Sequence, residues 1–340
     1  MKNKNFKIIV LQSAYTIGNK LNSKLKEIFN TNDDFIIKIK EYRFGNGEGK
    51  VIIDDDIQNM NIYILCDVGN YNCKYNLYGF ENRMSPDDHY MNIKRTISAM
   101  KGRAKTINVI MPLLYGSRQH RRKYNESLDC AMALQDLFDL GVDSIITFDA
   151  HDPNVQNAIP CKSFENFYPT NSILNFFTVQ KNIDLNNLLV VSPDTGAIDR
   201  ARYYADLLKS DVGVFYKKRD LSKVVNGKNP IVAHEYMGKD VKGKNIIVVD
   251  DIIASGNSMI EVSEKLKNMG ANKIYLIASF GLFTESTKNF DDAYNDGFFD
   301  MLCVTNLTYV PEEIRKKTWY MEVDCSNDLL DIIYKMNHNL

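Results

Sequence analysis

Residues 245–259, NIIVVDDIIASGNSM, carry an apolar run into two adjacent carboxylates, Asp250 and Asp251, and then open into small residues. That order suits a phosphorylated sugar. Ser255, Gly256, Asn257 and Ser258 let backbone N–H groups close on a phosphate at a helix N-terminus, where unpaired donors and the helix dipole favour an anion. Asp250 and Asp251 can accept hydrogen bonds from sugar hydroxyls or approach a divalent cation. The competing reading is an Asp-rich turn followed by a serine N-cap, which is common in α/β proteins.

A second cluster lies at residues 115–123, YGSRQHRRK, directly after the apolar run INVIMPLL. Arg118, His120, Arg121, Arg122 and Lys123 surround Gln119. Such density suits a polyphosphate, because arginine presents a planar fork to phosphate oxygens and lysine a point charge. Nucleic acid is the rival partner. Against it, the cluster is isolated, has no interleaved aromatic residues, and sits in a chain of net charge -1. Residues 42–48, YRFGNGE, form a Gly-rich turn. Either it is only a turn, or Phe44 stacks on a purine base with Asn46 and Glu48 near the sugar or base edge. Residues 217–244 are charged and Gly-containing. Their position after an apolar strand favours a lid in the first part, with a short hairpin or flap at 230–236, over a solvated basic loop.

These groups need strands and helices to aim them. Strand character recurs at 6–11, 61–68, 107–114, 144–150, 187–193, 212–216, 245–252, 273–280 and 301–307. Helix-period stripes fall at 14–29, 89–101, 127–140, 171–180, 199–208 and 256–269. Alternation of the two predicts an α/β protein of parallel sheets covered on both faces. Several strands finish in an ionisable residue: Asp149 and His151 after one, Asp194 after the next, Asp250 and Asp251 after a third. In such sheets ligands gather outside the carboxyl ends of strands. Periodicity lapses at 153–169, which marks a candidate boundary.

A chain of 340 residues suits two domains, and 44% apolar content supports substantial cores. The near-neutral charge supplies no global field for nucleic acid or anionic membrane. No apolar run approaches ~18 residues, and the N-terminus MKNKNFKIIVLQ lacks a signal-peptide pattern, so a cytoplasmic protein with no membrane partner is expected. Six scattered cysteines without a CxxC pair read as structural thiols rather than disulfides or a zinc centre.

In order along the chain, FGNGE, SRQHRRK, TFDAH, VVSPDTGA, YKKR, VVDDIIASGNS and VTN resemble the motifs of the ribose-phosphate pyrophosphokinase (PRPP synthetase) family. The resemblance implies two type I phosphoribosyltransferase-like domains, each a mostly parallel sheet flanked by helices. It places an ATP-side domain at 1–160, a phosphoribosyltransferase-like domain at 161–310 and a C-terminal helical tail at 311–340. It implies transfer of the β,γ-diphosphoryl group of ATP to the anomeric hydroxyl of ribose 5-phosphate, with Mg²⁺ (Mg2+), giving PRPP and AMP. Homo-oligomers of dimers assembled into hexamers are implied as well.

Residue by residue, Phe44, Asn46 and Glu48 match the adenine-binding loop, supplied in the family by a neighbouring subunit. Arg118, Gln119 and His120 match the ATP side, and His151 and Asp194 the groups associated with the nucleotide-bound magnesium. Lys217 and Arg219 match the catalytic loop; Asp250, Asp251, Ser255, Gly256, Asn257 and Ser258 match the ribose 5-phosphate loop. Ala254 departs from the pattern, standing where the family has an aspartate. That departure motivates the alternative of a catalytically silent paralogue that binds nucleotide or sugar phosphate and regulates a partner. A phosphoribosyltransferase using PRPP and a base shares the Asp-Asp loop but needs neither the Arg-Gln pair nor the basic loop.

Overall fold

The structure is a computed structural model that describes residues 5–180, 183, 186–219 and 231–338, with backbone alone for 180, 217–219, 231–234 and 338. It divides into two units: Met1–Pro169 with Asn306–Tyr309 and Asp324–Leu340, and Thr170–Thr305 with Val310–Val323.

The first unit contains β1 (Phe6–Val10), β2 (Ile36–Ile37), β3 (Ile39–Arg43), β4 (Gly49–Ile53), β5 (Asn61–Leu65), β6 (Lys74–Leu77), β7 (Phe80–Arg83), β8 (Thr106–Ile110), β9 (Ser144–Phe148) and β10 (Ser163–Phe167). Its first three helices are α1 (Tyr15–Ile28), α2 (Pro86–Met100) and α3 (Asp129–Asp139). One sheet runs β10-β9-β8-β5-β1-β2, and all its pairings are parallel. β9, SIITF, is buried at every position, as a parallel strand covered on both faces requires. Helix α2 starts where Ser85 and Asp88 form a reciprocal capping box with Pro86 in the first turn, an arrangement worth about 1 kcal/mol.

Three features of this unit were not legible as periodicity. β10 lies in the stretch 153–169 where the pattern lapses, and it pairs with β9 as an edge strand with no fully buried residue. The hairpins β3–β4 and β6–β7 form separate two-stranded sheets of exposed and half-buried residues. Their residues are at most half-buried and each strand has only four or five residues, too few to stand out as a pattern, even where β6, KYNL, alternates.

Past β5, the Asp67 carboxylate accepts hydrogen bonds from Gly69 N–H (2.9 Å), Thr308 Oγ1–H (2.9 Å) and Tyr309 N–H (2.7 Å). It thereby ties residues 306–309 into this unit. Burial pushes the Asp67 carboxyl up to about 7, against the pull of those three donors. A carboxyl raised on folding takes up a proton, so its contribution to stability is complete below about pH 4 and lost as pH rises through about 7. Between about pH 5 and about pH 8 the stability difference between wild type and Asp67→Asn is expected to change by about 2 to 3 kcal/mol, wild type losing with rising pH. Urea unfolding of both proteins at the two pH values measures this, and a pH-independent difference would refute it.

The second unit opens with α4 (Thr170–Asn175), which continues as a π-helical turn (Phe176–Gln180). It then alternates β11 (Leu188–Ser192), α5 (Ile198–Leu208), β12 (Asp211–Arg219), β13 (Ile231–Met237), β14 (Asn245–Ile253), α6 (Asn257–Asn268), β15 (Ile274–Gly281), α7 (Lys288–Asn295), β16 (Met301–Thr305), α8 (Glu312–Arg315) and β17 (Tyr320–Val323). The sheet order is β13-β12-β11-β14-β15-β16-β17, parallel except for the β12–β13 pair. Residues 220–230 of the expected lid lie outside the described residues; β13 covers most of the expected flap and pairs back on β12.

An aromatic cluster closes one side of this unit. Phe290 stacks on Trp319 at 5.4 Å between ring centroids, with Phe283 and Phe299 against them, and Trp319 Nε1 donates to Asp291 Oδ1 at 2.8 Å.

The stretch 311–340 is shared between units. Val310–Val323, with α8 and β17, belongs to the second, while α9 (Ser326–His338) belongs to the first. There Lys20 pairs with Asp324 at 3.3 Å and Phe29 meets Tyr334. Among the described residues no helix is long and apolar enough to cross a membrane.

Candidate nucleotide and sugar-phosphate sites

In the second unit, β14 is buried through Val249 and then presents Asp250 and Asp251 at its carboxyl end. Asp251 N–H donates to Asp250 Oδ1 at 2.9 Å, which folds the two carboxyls together. Burial first, and then the Asp251 carboxylate beside it, push the Asp250 carboxyl well above the usual carboxylate range. Arg200 works the other way: its guanidinium lies 4.0 Å from Asp250 Oδ1 and 3.8 Å from Asp251 Oδ1. Only 11% of its side chain is exposed, so water screens this attraction weakly. Arg200 was not singled out in the sequence. The available signal was its place six residues after Asp194, on the first turn of the helix that follows a strand-end carboxylate.

Gly256 is the residue before α6 and has φ +77°, in the left-handed region. A Cβ placed there would lie 1.9 Å from Phe290 Cζ. Both the backbone angle and the space therefore require glycine. The N-cap residue Gly256 supplies no side-chain cap to α6, and Asn257 N–H makes a long contact of 3.5 Å with Ser255 Oγ; a helix N-terminus of this kind favours an anion. Asn257 and Ser258 in that turn are exposed, and Ser255 is half-buried. Asn257 Oδ1 accepts from Asn289 Nδ2 at 3.1 Å, which steadies the turn against α7.

Strand order brings further groups to the same edge. β11 lies between β12 and β14, all parallel, so their carboxyl ends form a row. Asp194 follows β11; its Oδ1 accepts from Gly196 N–H (2.8 Å) and Ala197 N–H (3.3 Å), leaving the residue half-exposed. Lys217 and Arg219 lie in the last part of β12, beyond Val214, the last residue paired with β11. Their side chains lie outside the described residues.

In the first unit, the loop after β8 carries Arg118, Gln119 and His120, and the loop after the adjacent β9 carries His151. Asp152 organises the pair of loops. His120 Nε2 lies 3.3 Å from its Oδ2, and Arg121 donates to the same oxygen through Nε (3.2 Å) and an η nitrogen (3.0 Å). Burial would raise the Asp152 carboxyl, but hydrogen bonds from Asn154 N–H and Arg121 outweigh it and hold it below the ordinary value. The His120 and His151 rings meet edge to face at 5.3 Å. Gln119 Nε2 donates to the Ser127 carbonyl at 2.7 Å, and Arg118 is exposed. Arg121, one of the cations of the basic cluster, pairs with Asp152 while 73% of its side chain stays exposed.

Phe44, Asn46 and Glu48 share the turn between β3 and β4. Phe44 and Glu48 close it by an N–H to carbonyl bond of 2.8 Å, while Asn46 bonds the Glu48 carboxylate at 3.0 Å and the Glu48 N–H at 3.2 Å. Phe44 is 50% exposed, with Lys50 Nζ 5.7 Å from its ring centroid. No group of three or more metal-ligating side chains occurs among the described residues.

Two α/β units with a strand-end Asp-Asp and a glycine-gated helix N-terminus define a phosphoribosyl-handling class. The pattern of the phosphoribosyl transferase domain matches residues 173–301, and that of the N-terminal domain of ribose phosphate pyrophosphokinase matches residues 6–141. A ribose-phosphate pyrophosphokinase of Thermoplasma volcanium is 30% identical over 284 residues, covering 83% of this chain and 87% of that protein. One from Pyrococcus abyssi is 32% identical over 213 residues, 62% of this chain and 68% of that protein. The chain belongs to the ribose-phosphate pyrophosphokinase family. Its fold is also that of phosphoribosylpyrophosphate synthetase from Mycobacterium smegmatis, with a TM-score of 0.79 at 18% identity over 99% of this chain and 100% of that one.

Proposed function

We propose that this protein is an ATP:ribose-5-phosphate diphosphotransferase. The anomeric hydroxyl oxygen of ribose 5-phosphate attacks the β-phosphorus of ATP and its proton passes to solvent; the bond from that phosphorus to the oxygen bridging it to the α-phosphate breaks, and AMP leaves with that oxygen and the bonding electrons, giving PRPP. The observation that carries this reading is the row at the carboxyl edge of β12, β11 and β14: the Lys217 and Arg219 strand, Asp194, and the Asp250–Asp251 pair leading into the Gly256 turn.

The roles follow from charge. The α6 N-terminus with Ser255, Gly256, Asn257 and Ser258 takes the 5-phosphate, and Asp250 and Asp251 accept from ring hydroxyls. Phe44 stacks on the adenine, while Glu48 accepts from its amino group; Arg118, Gln119 and His120 serve the ATP phosphates. Charge develops on the migrating diphosphoryl group and the departing AMP, and Lys217 and Arg219 stabilise it electrostatically.

Mg²⁺ is the implied cofactor. A half-exposed carboxylate at Asp194 fits it, since Mg²⁺ takes oxygen ligands, keeps several waters and needs few protein ligands alongside phosphate oxygens; His151, in the other unit, is assigned to it by the family resemblance alone. When bound it neutralises polyphosphate charge. Self-association into dimers and hexamers, and a cytoplasmic location, belong to the same proposal; sedimentation reads the first. The relatives named above carry the name of the active enzyme, and no observation favours a silent paralogue.

The test is AMP release dependent on both ribose 5-phosphate and Mg²⁺. Wild type matching Lys217→Ala, with neither releasing AMP, would overturn the reading. In the same assay Ala254→Asp restores an acceptor in the half-buried turn between β14 and α6, and is expected to lower KM for ribose 5-phosphate by up to about tenfold. An unchanged KM would mean that residue 254 does not face the sugar.

A further inference from the structure

The Phe44 turn has a neighbour with no role in the reading above. β6 and β7 pair through a two-residue turn, Tyr78–Gly79, with Leu77 opposite Phe80. Both turn residues have positive φ, +49° and +86°. Those angles mark a type I′ turn, in which Asn, Asp or Gly is usual at the first position. A tyrosine there strains the backbone by about 1 kcal/mol, without recovering it through burial, since Tyr78 is 75% exposed. Phe80 is also 75% exposed.

The tip of this hairpin is fastened to the Phe44 turn. Tyr78 N–H donates to the Gly45 carbonyl at 2.8 Å. Leu77 Cδ1 lies only 2.9 Å from where a Cβ on Gly47 would stand, and Arg43 lies over the Tyr75 ring at 4.9 Å. Two sequence-distant turns are therefore hydrogen-bonded to each other, one carrying the exposed Phe44 with Asn46 and Glu48, the other the exposed Tyr78.

From this juxtaposition we propose that Tyr78 is a second aromatic contact for the nucleotide base, extending the Phe44 turn into a two-ring purine platform. It rests on the reading of that turn as the base site. Flat π-faces of base and side chain attract each other, and the gain per ring is large enough to register in KM. The exposed, strained tyrosine is then explained by what it touches when ATP is bound.

Tyr78→Asn is the decisive variant, because an Asn-Gly pair suits a type I′ turn better than Tyr-Gly and removes the ring. The expected result is an unchanged or slightly raised melting temperature, a rise of about five- to tenfold in KM for ATP, and an unchanged KM for ribose 5-phosphate. Tyr78→Gly, which also tolerates positive φ, should match it, and Tyr78→Phe should behave as wild type. Inhibition by inorganic tripolyphosphate, which has no base, should not change in any of them. If Phe44→Ala raises KM for ATP and Tyr78→Asn does not, the platform is overturned while the Phe44 site stands. If Phe44→Ala has no effect, the base site itself is misplaced and the proposal falls with it. Altered sedimentation of Tyr78→Asn with an unchanged KM for ATP also overturns it, and would assign the tip to contact between copies of the chain.

Discussion

Gly256→Ala is expected to lower kcat/KM for ribose 5-phosphate by about 10²-fold or more. Two costs fall on one methyl group. The φ of +77° lies where an L-residue loses about 1 kcal/mol, and the new Cβ would sit 1.9 Å from Phe290 Cζ. Phe290 cannot retreat: it is 1% exposed and packed against Trp319, Phe283 and Phe299. Overpacking of this kind costs about 1 to 3 kcal/mol, so the turn itself must shift. A shift carries the N–H groups at the start of α6 away from the 5-phosphate, and misplacement by about 1 Å suffices for the loss. Steady-state kinetics with a thermal melt measures both parts. Adding Phe290→Leu should recover part of the stability but not the backbone strain. Near-wild-type turnover by Gly256→Ala would show that this turn does not bind the phosphate.

Arg200→Leu is expected to have a comparable effect by a different route. Arg200 is the buried cation beside Asp250 and Asp251, and removing one partner of a buried ionic group costs several kcal/mol because the remaining charge keeps its desolvation penalty. The carboxyls respond by holding their protons. Asp250 is already raised by burial and by Asp251, with Arg200 opposing, so the variant raises it further. The ionised pair that accepts from sugar hydroxyls then forms only at higher pH. The acid limb of kcat/KM for ribose 5-phosphate should move to higher pH, with a loss of about 10²-fold near neutrality. Arg200→Lys keeps the charge and should restore part of both. A lowered rate with an unmoved pH profile would reduce Arg200 to a packing residue.

Much of the fold was legible because buried parallel strands and amphipathic helices write their burial into the sequence. Nine expected strand segments each overlap a strand of the structure, among them 187–193 for β11 and 245–252 for β14. β2, β10, β17 and the two hairpins lie outside the expected segments, because each is five residues or fewer and only partly buried, too little to mark a strand. The turn in the basic cluster was legible as charge but not as pairing: the partner of Arg121, Asp152, lies 31 residues away in the chain.

Sequence alone determined which chemistry is present. Asp250, Asp251, the small residues after them and the Arg-Gln pair are local motifs, and their order along the chain identifies the family without coordinates. Tertiary structure decided what each group does next to its neighbours. Arg200 becomes the counter-charge of the Asp pair only because α5 follows β11 and β11 pairs with β14. Gly256 is irreplaceable because α7 brings Phe290 beneath it, and Tyr78 gains a role because one hairpin tip bonds another. The physical reason is range: hydrophobic period and turn chemistry act over a few residues, while charge pairing and steric exclusion act between residues that only the folded chain makes adjacent.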